Sequence, residues 1–240
     1  MSTARNEGPA NETATLVTLT LRACEVASAA ASTIGDALTS SAPRSLEDIR
    51  RHEEELDTLD RNINEGVTDA ITHCHSGLEA RELLACLKFI IELERVGDLL
   101  LGFATRARTC YGRMDEQDVK DLSAMAVILQ KMLKDAHKAF AARDPNLAVS
   151  VLRADSEMDR LRNLIFVRHL ENPEQLSTQE SFHVVFMSQA LERAGDHAKN
   201  LAEEVVHLVT GRSVRHLLRA QDKPDEVRFV EALRNRESRR

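Results

Sequence analysis

The sequence predicts an all-α protein made of two tandem homologous three-helix bundles, with six long helices. Its composition favours helix, because aromatic residues make up only 3% of the chain and Trp is absent. A six-residue pattern also occurs twice, as Leu-Glu-Arg-Val-Gly-Asp at 93–98 and Leu-Glu-Arg-Ala-Gly-Asp at 191–196. A Gly inside a helix costs about 1 kcal/mol relative to Ala, so the same Gly at both places indicates a duplicated unit.

Three helices are predicted in the first half. The first spans 13–39 and ends before a break that contains Pro43. The second runs from 45 to about 73, with Ser45 as its N-cap. After the Ser-Gly break at 76–77, the third helix runs from 78 to about 107. Tyr-Gly at 111–112 then separates the two halves.

Three more helices are predicted in the second half. They span roughly 118–143, 146–170 and 177–210, and Asp-Pro and Asn-Pro pairs separate them. The last begins with a capping box from Ser177 to Glu180 and ends at Gly211. The expected domains are therefore residues 12–110 and 113–216, followed by a polar C-terminal tail at 217–240.

The duplication includes an earlier acidic block and a matching apolar stripe. Glu53 and Asp57 align with Asp155 and Asp159 at an offset of 102 residues. The third and sixth helices also carry equivalent apolar positions at helical spacing, which predicts their core faces. These positions are Phe89, Leu93, Val96, Leu100, Phe103 and Ala107, matched by Met187, Leu191, Ala194, Ala198, Leu201 and Val205.

Pairs of acids four residues apart lie away from that stripe and form the candidate site. Two carboxylates at this spacing project from one helix face and repel each other. Facing pairs on neighbouring helices would favour a hard or borderline cation such as Mg²⁺, Mn²⁺ or iron. A structural carboxylate network or a solvated helix face explains the same pattern equally well. The candidate ligands are Glu53, Asp57, Glu94 and Asp98 in the first half, and Asp155, Asp159, Glu192 and Asp196 in the second.

Composition and motifs argue against several classes of protein. The net charge of −7 argues against nucleic acid as a partner. No segment is expected to be a signal peptide or to insert into a membrane, and the four Cys are expected to be reduced thiols in the cytosol. No phosphate-binding loop, nucleophile elbow or zinc-protease motif is present, so an enzyme is not expected.

The duplicated Glu-Arg-x-Gly-Asp blocks resemble those of the PhoU family. The run Ala-Lys-Asn-Leu-Ala-Glu at 198–203 and the ending Val-Thr-Gly-Arg at 209–212 are also similar, and the resemblance extends over about residues 13–216. It implies a cytoplasmic negative regulator of phosphate uptake and phosphate homeostasis. Its expected partners are the ATPase subunit of a phosphate ABC transporter and a sensor histidine kinase. The resemblance also implies metal binding at the eight acids, with Mg, Mn, Fe or Zn as the ion.

Two alternatives to this signalling role remain open. One is a structural or storage bundle that binds metal. The other is an accessory protein of a different phosphate carrier, without a role in signalling.

The two repeats differ after their Gly-Asp pairs. Polar residues 197–200 follow Asp196, whereas three Leu and a Gly follow Asp98, so the second half is expected to hold metal more tightly. Leu87, Ile91 and Leu101 give the third helix an apolar outer face. This face predicts a homodimer or partner contact, unless the first helix or the N-terminal segment covers it.

Overall fold

Six helices form the part of the chain that the computed structural model describes, residues 9–39, 47–171 and 178–211, and these ranges contain no β-strand. The confirmed all-α fold places three helices in each half. The helices are α1 (Pro9–Thr39), α2 (Asp48–Ile71), α3 (Gly77–Thr109), α4 (Glu116–Ala142), α5 (Pro145–Glu171) and α6 (Thr178–Thr210).

Local capping explains where two of the helices begin. The Ser76 hydroxyl accepts a hydrogen bond from the backbone N–H of Glu79, so α3 begins at Gly77. The carboxylate of Asp115 accepts one from the N–H of Gln117, and α4 therefore begins two residues earlier than predicted. The predicted N-caps of the second and sixth helices, at 45 and 177, lie outside the described residues.

Each half packs as a set of three mutually contacting helices. In the first half α1, α2 and α3 contact one another, and α4, α5 and α6 do the same in the second. The halves then meet along two helix pairs, α1 with α4 and α3 with α6. Every residue of the predicted apolar stripe on α3 and α6 is buried. The limits of the two domains remain a prediction.

The core is continuous across the two halves. The rings of Phe89 on α3 and Phe140 on α4 have centroids 4.4 Å apart. On α1, small residues that include Ala23, Ala27 and Ala30 are fully or almost fully buried. The two repeats therefore share one hydrophobic core.

Helix α1 is apolar along much of its length. Its segment Glu12–Thr39 is long and apolar enough to cross a membrane by length and composition, although half of its most apolar stretch is buried inside the fold. The apolar residues of this helix pack against α2, α3 and α4. Packing in the core thus accounts for the buried half of its apolar stretch.

Buried ion pairs connect α4 to the end of α5. The side chain of Asp118 is only 1% exposed, and its Oδ1 lies 2.5 Å from Nη1 of Arg168. Arg168 also pairs with Asp121, and Nε2 of His169 lies 3.1 Å from Oδ2 of Asp118. The same His169 ring contacts the Ser181 hydroxyl at 3.2 Å, which brings α6 into the network.

The four cysteines are free thiols. Burial raises the pKa of Cys86 to about 11 and raises the pKa of Cys24 still further. These two thiols are therefore weak nucleophiles at neutral pH.

Candidate functional site

The Gly of each repeated motif lies where two helices of one half approach closely. A Cβ atom added at Gly97 would lie 2.8 Å from Cδ1 of Leu56 and 3.9 Å from Cα of Glu53. A Cβ atom at Gly195 would lie 3.3 Å from Cγ of Met158. Leu56 and Met158 are equivalent residues of the two acidic blocks. The Gly therefore lets α2 approach α3, and α5 approach α6, beside the acids.

The approach at Gly97 gathers the first-half acids on one side of α2 and α3. The pKa of Glu53 is raised, first by burial and then by the charges of Asp57 and Asp98. Asp57 belongs to the same helix as Glu53, whereas Asp98 belongs to the neighbouring helix. The two predicted acidic pairs of this half therefore face each other.

The surroundings of Glu94 include a further acid, Asp60, that the sequence-based prediction missed. Its pKa is raised by burial and by Asp98, is opposed by Arg95, and is raised again by Asp60 and Asp57. Asp60 lies three residues after Asp57 and thus on the same side of α2. That spacing could have identified Asp60 as a member of the first-half acidic cluster from the sequence alone.

The second-half acids are more deeply buried and have cationic partners. Asp155 and Asp159 are only 5% and 6% exposed. The ammonium group of Lys199 on α6 pairs with the carboxylate of Asp155 on α5. Nη2 of Arg162 lies 3.4 Å from Oε1 of Glu192.

Like-charge repulsion persists around Glu192 in spite of Arg162. Burial and the charge of Asp196 raise the pKa of Glu192, while Arg162 opposes that rise. Asp159, on the neighbouring helix α5, also raises the pKa of Glu192. The acids of α5 and α6 therefore also converge.

The two clusters differ in their suitability for a metal ion. Within residues 9–39, 47–171 and 178–211, no three His, Cys, Asp or Glu side chains are grouped so that they could hold one. The first-half donors are all carboxylates, the chemistry that a hard divalent cation requires. The second-half cluster contains two partly buried cations among its carboxylates. Metal binding by either cluster remains a prediction.

His197 and Asn200 do not support the second acidic cluster, contrary to the sequence-based expectation. Nδ1 of His197 lies 2.6 Å from Oε2 of Glu92, and Nδ2 of Asn200 donates to the same oxygen at 3.0 Å. Glu92 is on α3, so both polar residues bridge the two halves. The sequence pattern could not show this, because the pairing of α3 with α6 is a tertiary contact.

A cleft of about 270 Å³ lies beside this bridge, between α3 and α6. Nζ of Lys88 lies 2.9 Å from Glu204 at its wall, and Ile91 forms part of its lining. Ile91 is 45% exposed, but Leu87 and Leu101 are half-buried and pack against the core. The prediction of an apolar outer face is therefore wrong for Leu87 and Leu101, because the fold itself covers much of both side chains.

The chain is similar to PhoU proteins in both its sequence and its fold. The PhoU domain matches residues 20–107 and 122–205. A phosphate-specific transport system accessory protein PhoU homolog of Pseudomonas aeruginosa is 31% identical over 176 residues, covering 70% of this chain and 72% of the relative. The phosphate-specific transport system accessory protein PhoU homolog 1 of Thermotoga maritima is 31% identical over 180 residues, covering 71% of this chain and 75% of the relative.

Solved structures give the same result for the fold. The crystal structure of PhoU from Pseudomonas aeruginosa matches with a TM-score of 0.77 at 24% identity, covering 84% of this chain and 99% of that one. The phosphate transport system regulatory protein PhoU from Streptococcus pneumoniae matches with a TM-score of 0.76 at 21% identity, covering 86% and 99%. With one PhoU domain matched in each half, the chain belongs to the PhoU family.

Proposed function

We propose that this protein is a cytoplasmic regulator of phosphate uptake that represses the phosphate-starvation response when phosphate is plentiful. The observation that carries this proposal is the PhoU domain match in both halves, together with relatives named as accessory proteins of phosphate-specific transport. The proposed partners are the ATPase subunit of a phosphate ABC transporter and a sensor histidine kinase. The protein would couple the activity of one to the state of the other.

A binding role suits this fold better than an enzymatic one. The sequence contains none of the nucleophile or phosphate-loop motifs considered above. Long helices around one continuous core form a firm scaffold, and partner recognition by such a scaffold uses its outer helix faces. We propose a homodimer as the functional form, with Ile91 available at the rim of the α3–α6 cleft.

The first-half carboxylates are the proposed metal ligands. Glu53, Asp57, Glu94 and Asp98 would hold a divalent or iron ion, with Mg, Mn, Fe and Zn as the candidates. Their side chains would have to turn toward one another to do so, because no three acids of the described residues are grouped to hold an ion in this structure. The ion would neutralise carboxylates whose mutual repulsion contributes to the raised pKa values of Glu53 and Glu94. Its proposed role is structural, because it would join α2 to α3 at the surface of the bundle.

Deletion of the gene tests the regulatory proposal. In phosphate-rich medium, transcripts for phosphate uptake should rise in the deletion strain and return to the basal level when the wild-type gene is restored. Unchanged transcripts would contradict repression. They would favour either the metal-storage role or an accessory role with another phosphate carrier.

Direct binding tests the two proposed partners separately. The purified full chain should bind the purified transporter ATPase subunit and the cytoplasmic part of the kinase, as measured by surface plasmon resonance. Light scattering of the free protein measures whether it is a dimer. Repression in cells without binding to either partner would contradict the coupling mechanism while leaving the regulatory role intact.

A further inference from the structure

We infer that Lys199 and Arg162 are built-in counter-ions of the second acidic cluster and that they replace a metal ion there. This inference concerns only the second half. It is the reverse of the ranking expected from the sequence, in which the polar residues after Asp196 favour metal in that half.

The repeat alignment shows that both cations are specific to one half. The offset of 102 residues that pairs Asp57 with Asp159 also pairs Asp60 with Arg162. The offset of 98 residues between α3 and α6 pairs Leu101 with Lys199. The first half therefore has an acid and an apolar residue where the second half has two cations.

The structure places Asp60 and Arg162, the first aligned pair, in comparable surroundings. Arg162 lies 3.4 Å from Glu192, and Asp60 raises the pKa of Glu94, which is the repeat equivalent of Glu192. The same location on the helix pair thus holds a guanidinium in one half and a carboxylate in the other. The five acids of the first half have no cation at these two positions, whereas the four acids of the second half have two.

The second-half cations are also less exposed to water than the cation beside the first-half acids. The side chains of Lys199 and Arg162 are 21% and 24% exposed, whereas Arg95, beside Glu94 in the first half, is 63% exposed. Water screens an exposed pair such as Arg95 with Glu94 and leaves it only a small effect on stability. A partly buried pair acts at a lower effective dielectric constant, so its charges interact more strongly.

These contacts oppose the entry of a divalent cation. An incoming ion would have to displace the Lys199 ammonium from Asp155 and would approach the Arg162 guanidinium at Glu192. Either step brings positive charges together or leaves a partly buried cation without its partner, which is costly. Lys199 therefore compensates Asp155 from within the chain, and Arg162 compensates Glu192 in part.

Replacing Arg162 and Lys199 with the residue types at the equivalent first-half positions gives an import variant that tests the inference. The background is the full chain carrying Asp57→Asn and Asp98→Asn, which removes the first-half ligands. Isothermal titration with Mn²⁺ should detect no binding to this background. Adding Arg162→Asp and Lys199→Leu should create a Mn²⁺ site, and circular dichroism should confirm that the variant remains helical.

Milder and matched variants make the result decisive. Arg162→Gln with Lys199→Met removes both cations without adding an acid, and it should create a weaker Mn²⁺ site even if the first import variant does not fold. Arg160→Asp with Lys131→Leu makes the same change in net charge at two exposed positions and should create none.

Two results would overturn the inference. The first is Mn²⁺ binding to the background protein that is lost when Asp159 and Asp196 are changed to Asn. The second is the absence of any Mn²⁺ binding in folded variants that lack both cations. If the wild-type protein binds no Mn²⁺ but the import variant does, the first-half metal proposal fails and this inference stands.

Discussion

The position of a Cβ atom at Gly97 lies only 2.8 Å from Cδ1 of Leu56, so any larger residue at 97 must displace the Leu56 side chain or move α2 away from α3. Leu56 is fully buried and has little room to move. Its neighbours in sequence are the acids at 53 and 57, which this approach brings next to Asp98. The Gly of the repeated motif thus determines both the packing of the helices and the density of negative charge beside them.

Gly97→Ala should destabilise the protein, whereas Gly195→Ala should be close to neutral. Ala gains about 1 kcal/mol in helix propensity at either position, but overpacking against Leu56 costs roughly 1–3 kcal/mol. At Gly195 the nearest atom is 3.3 Å away and belongs to a flexible Met side chain. Urea unfolding of the two variants measures the difference, and equal stabilities would contradict the proposed role of Leu56.

Glu94→Gln should stabilise the metal-free protein at pH 7. The pKa of Glu94 is raised in the folded state, so its contribution to stability is present below its ordinary pKa and is lost as the pH rises through the raised value. The ionised carboxylate therefore disfavours folding at neutral pH. The gain from the Gln variant should shrink as the pH falls below the ordinary pKa of Glu.

Glu157→Gln is the control of opposite sign for that experiment. Arg160 lowers the pKa of Glu157, so this carboxylate contributes stability above its ordinary pKa and loses it as the pH falls through the lowered value. Thermal unfolding should be measured from pH 3 to pH 8, over about five pH units. At neutral pH this variant should be slightly less stable than the wild-type protein. The same sign of effect at Glu94 and Glu157 would contradict the electrostatic explanation.

Arg168→Met should destabilise the second half strongly. It leaves the Asp118 carboxylate, which is 1% exposed, without its guanidinium partner. Removing one member of a buried pair costs about 3–5 kcal/mol. Arg160→Met breaks an exposed pair with Glu157 and should cost no more than about 1 kcal/mol. Similar unfolding midpoints for the two variants would show that the Asp118 network contributes little.

Glu92→Ala should weaken the connection between the two halves. It removes the oxygen that lies within hydrogen-bond distance of His197 and Asn200 across the α3–α6 contact. Leaving such part-buried groups without their partner costs about 1–3 kcal/mol. Glu25→Ala, which breaks only an exposed pair with Arg22, is the control. Hydrogen exchange should show faster opening of α3 and α6 in the Glu92 variant alone.

The helices were predictable because their signals are local. The break at Ser76 gives α3 its cap, and Gly211, with φ of +68°, follows the end of α6. The apolar stripe on α3 and α6 was also predictable, since helical periodicity is visible without any knowledge of the neighbours. The first half's facing acids followed from the same periodicity and from the repeated Gly.

The composition of the second acidic cluster was only partly predictable. Alignment at the offset of 102 residues could have identified Asp60 and Arg162 as an exchanged pair. Lys199 and Asn200 are adjacent in the sequence, yet one pairs with Asp155 on α5 and the other with Glu92 on α3. Their different partners depend on the directions of two side chains relative to three helices.

By itself, the sequence determined the six helices, the duplication and the family, because helix periodicity, capping and repeated motifs are properties of neighbouring residues. Only the tertiary structure decided which charges meet. The distance between α5 and α6 sets whether Lys199 reaches Asp155, and the α3–α6 contact sets the partner of Asn200. Coulomb energies depend on separation and burial, and both arise from the packing of helices that are far apart in the chain.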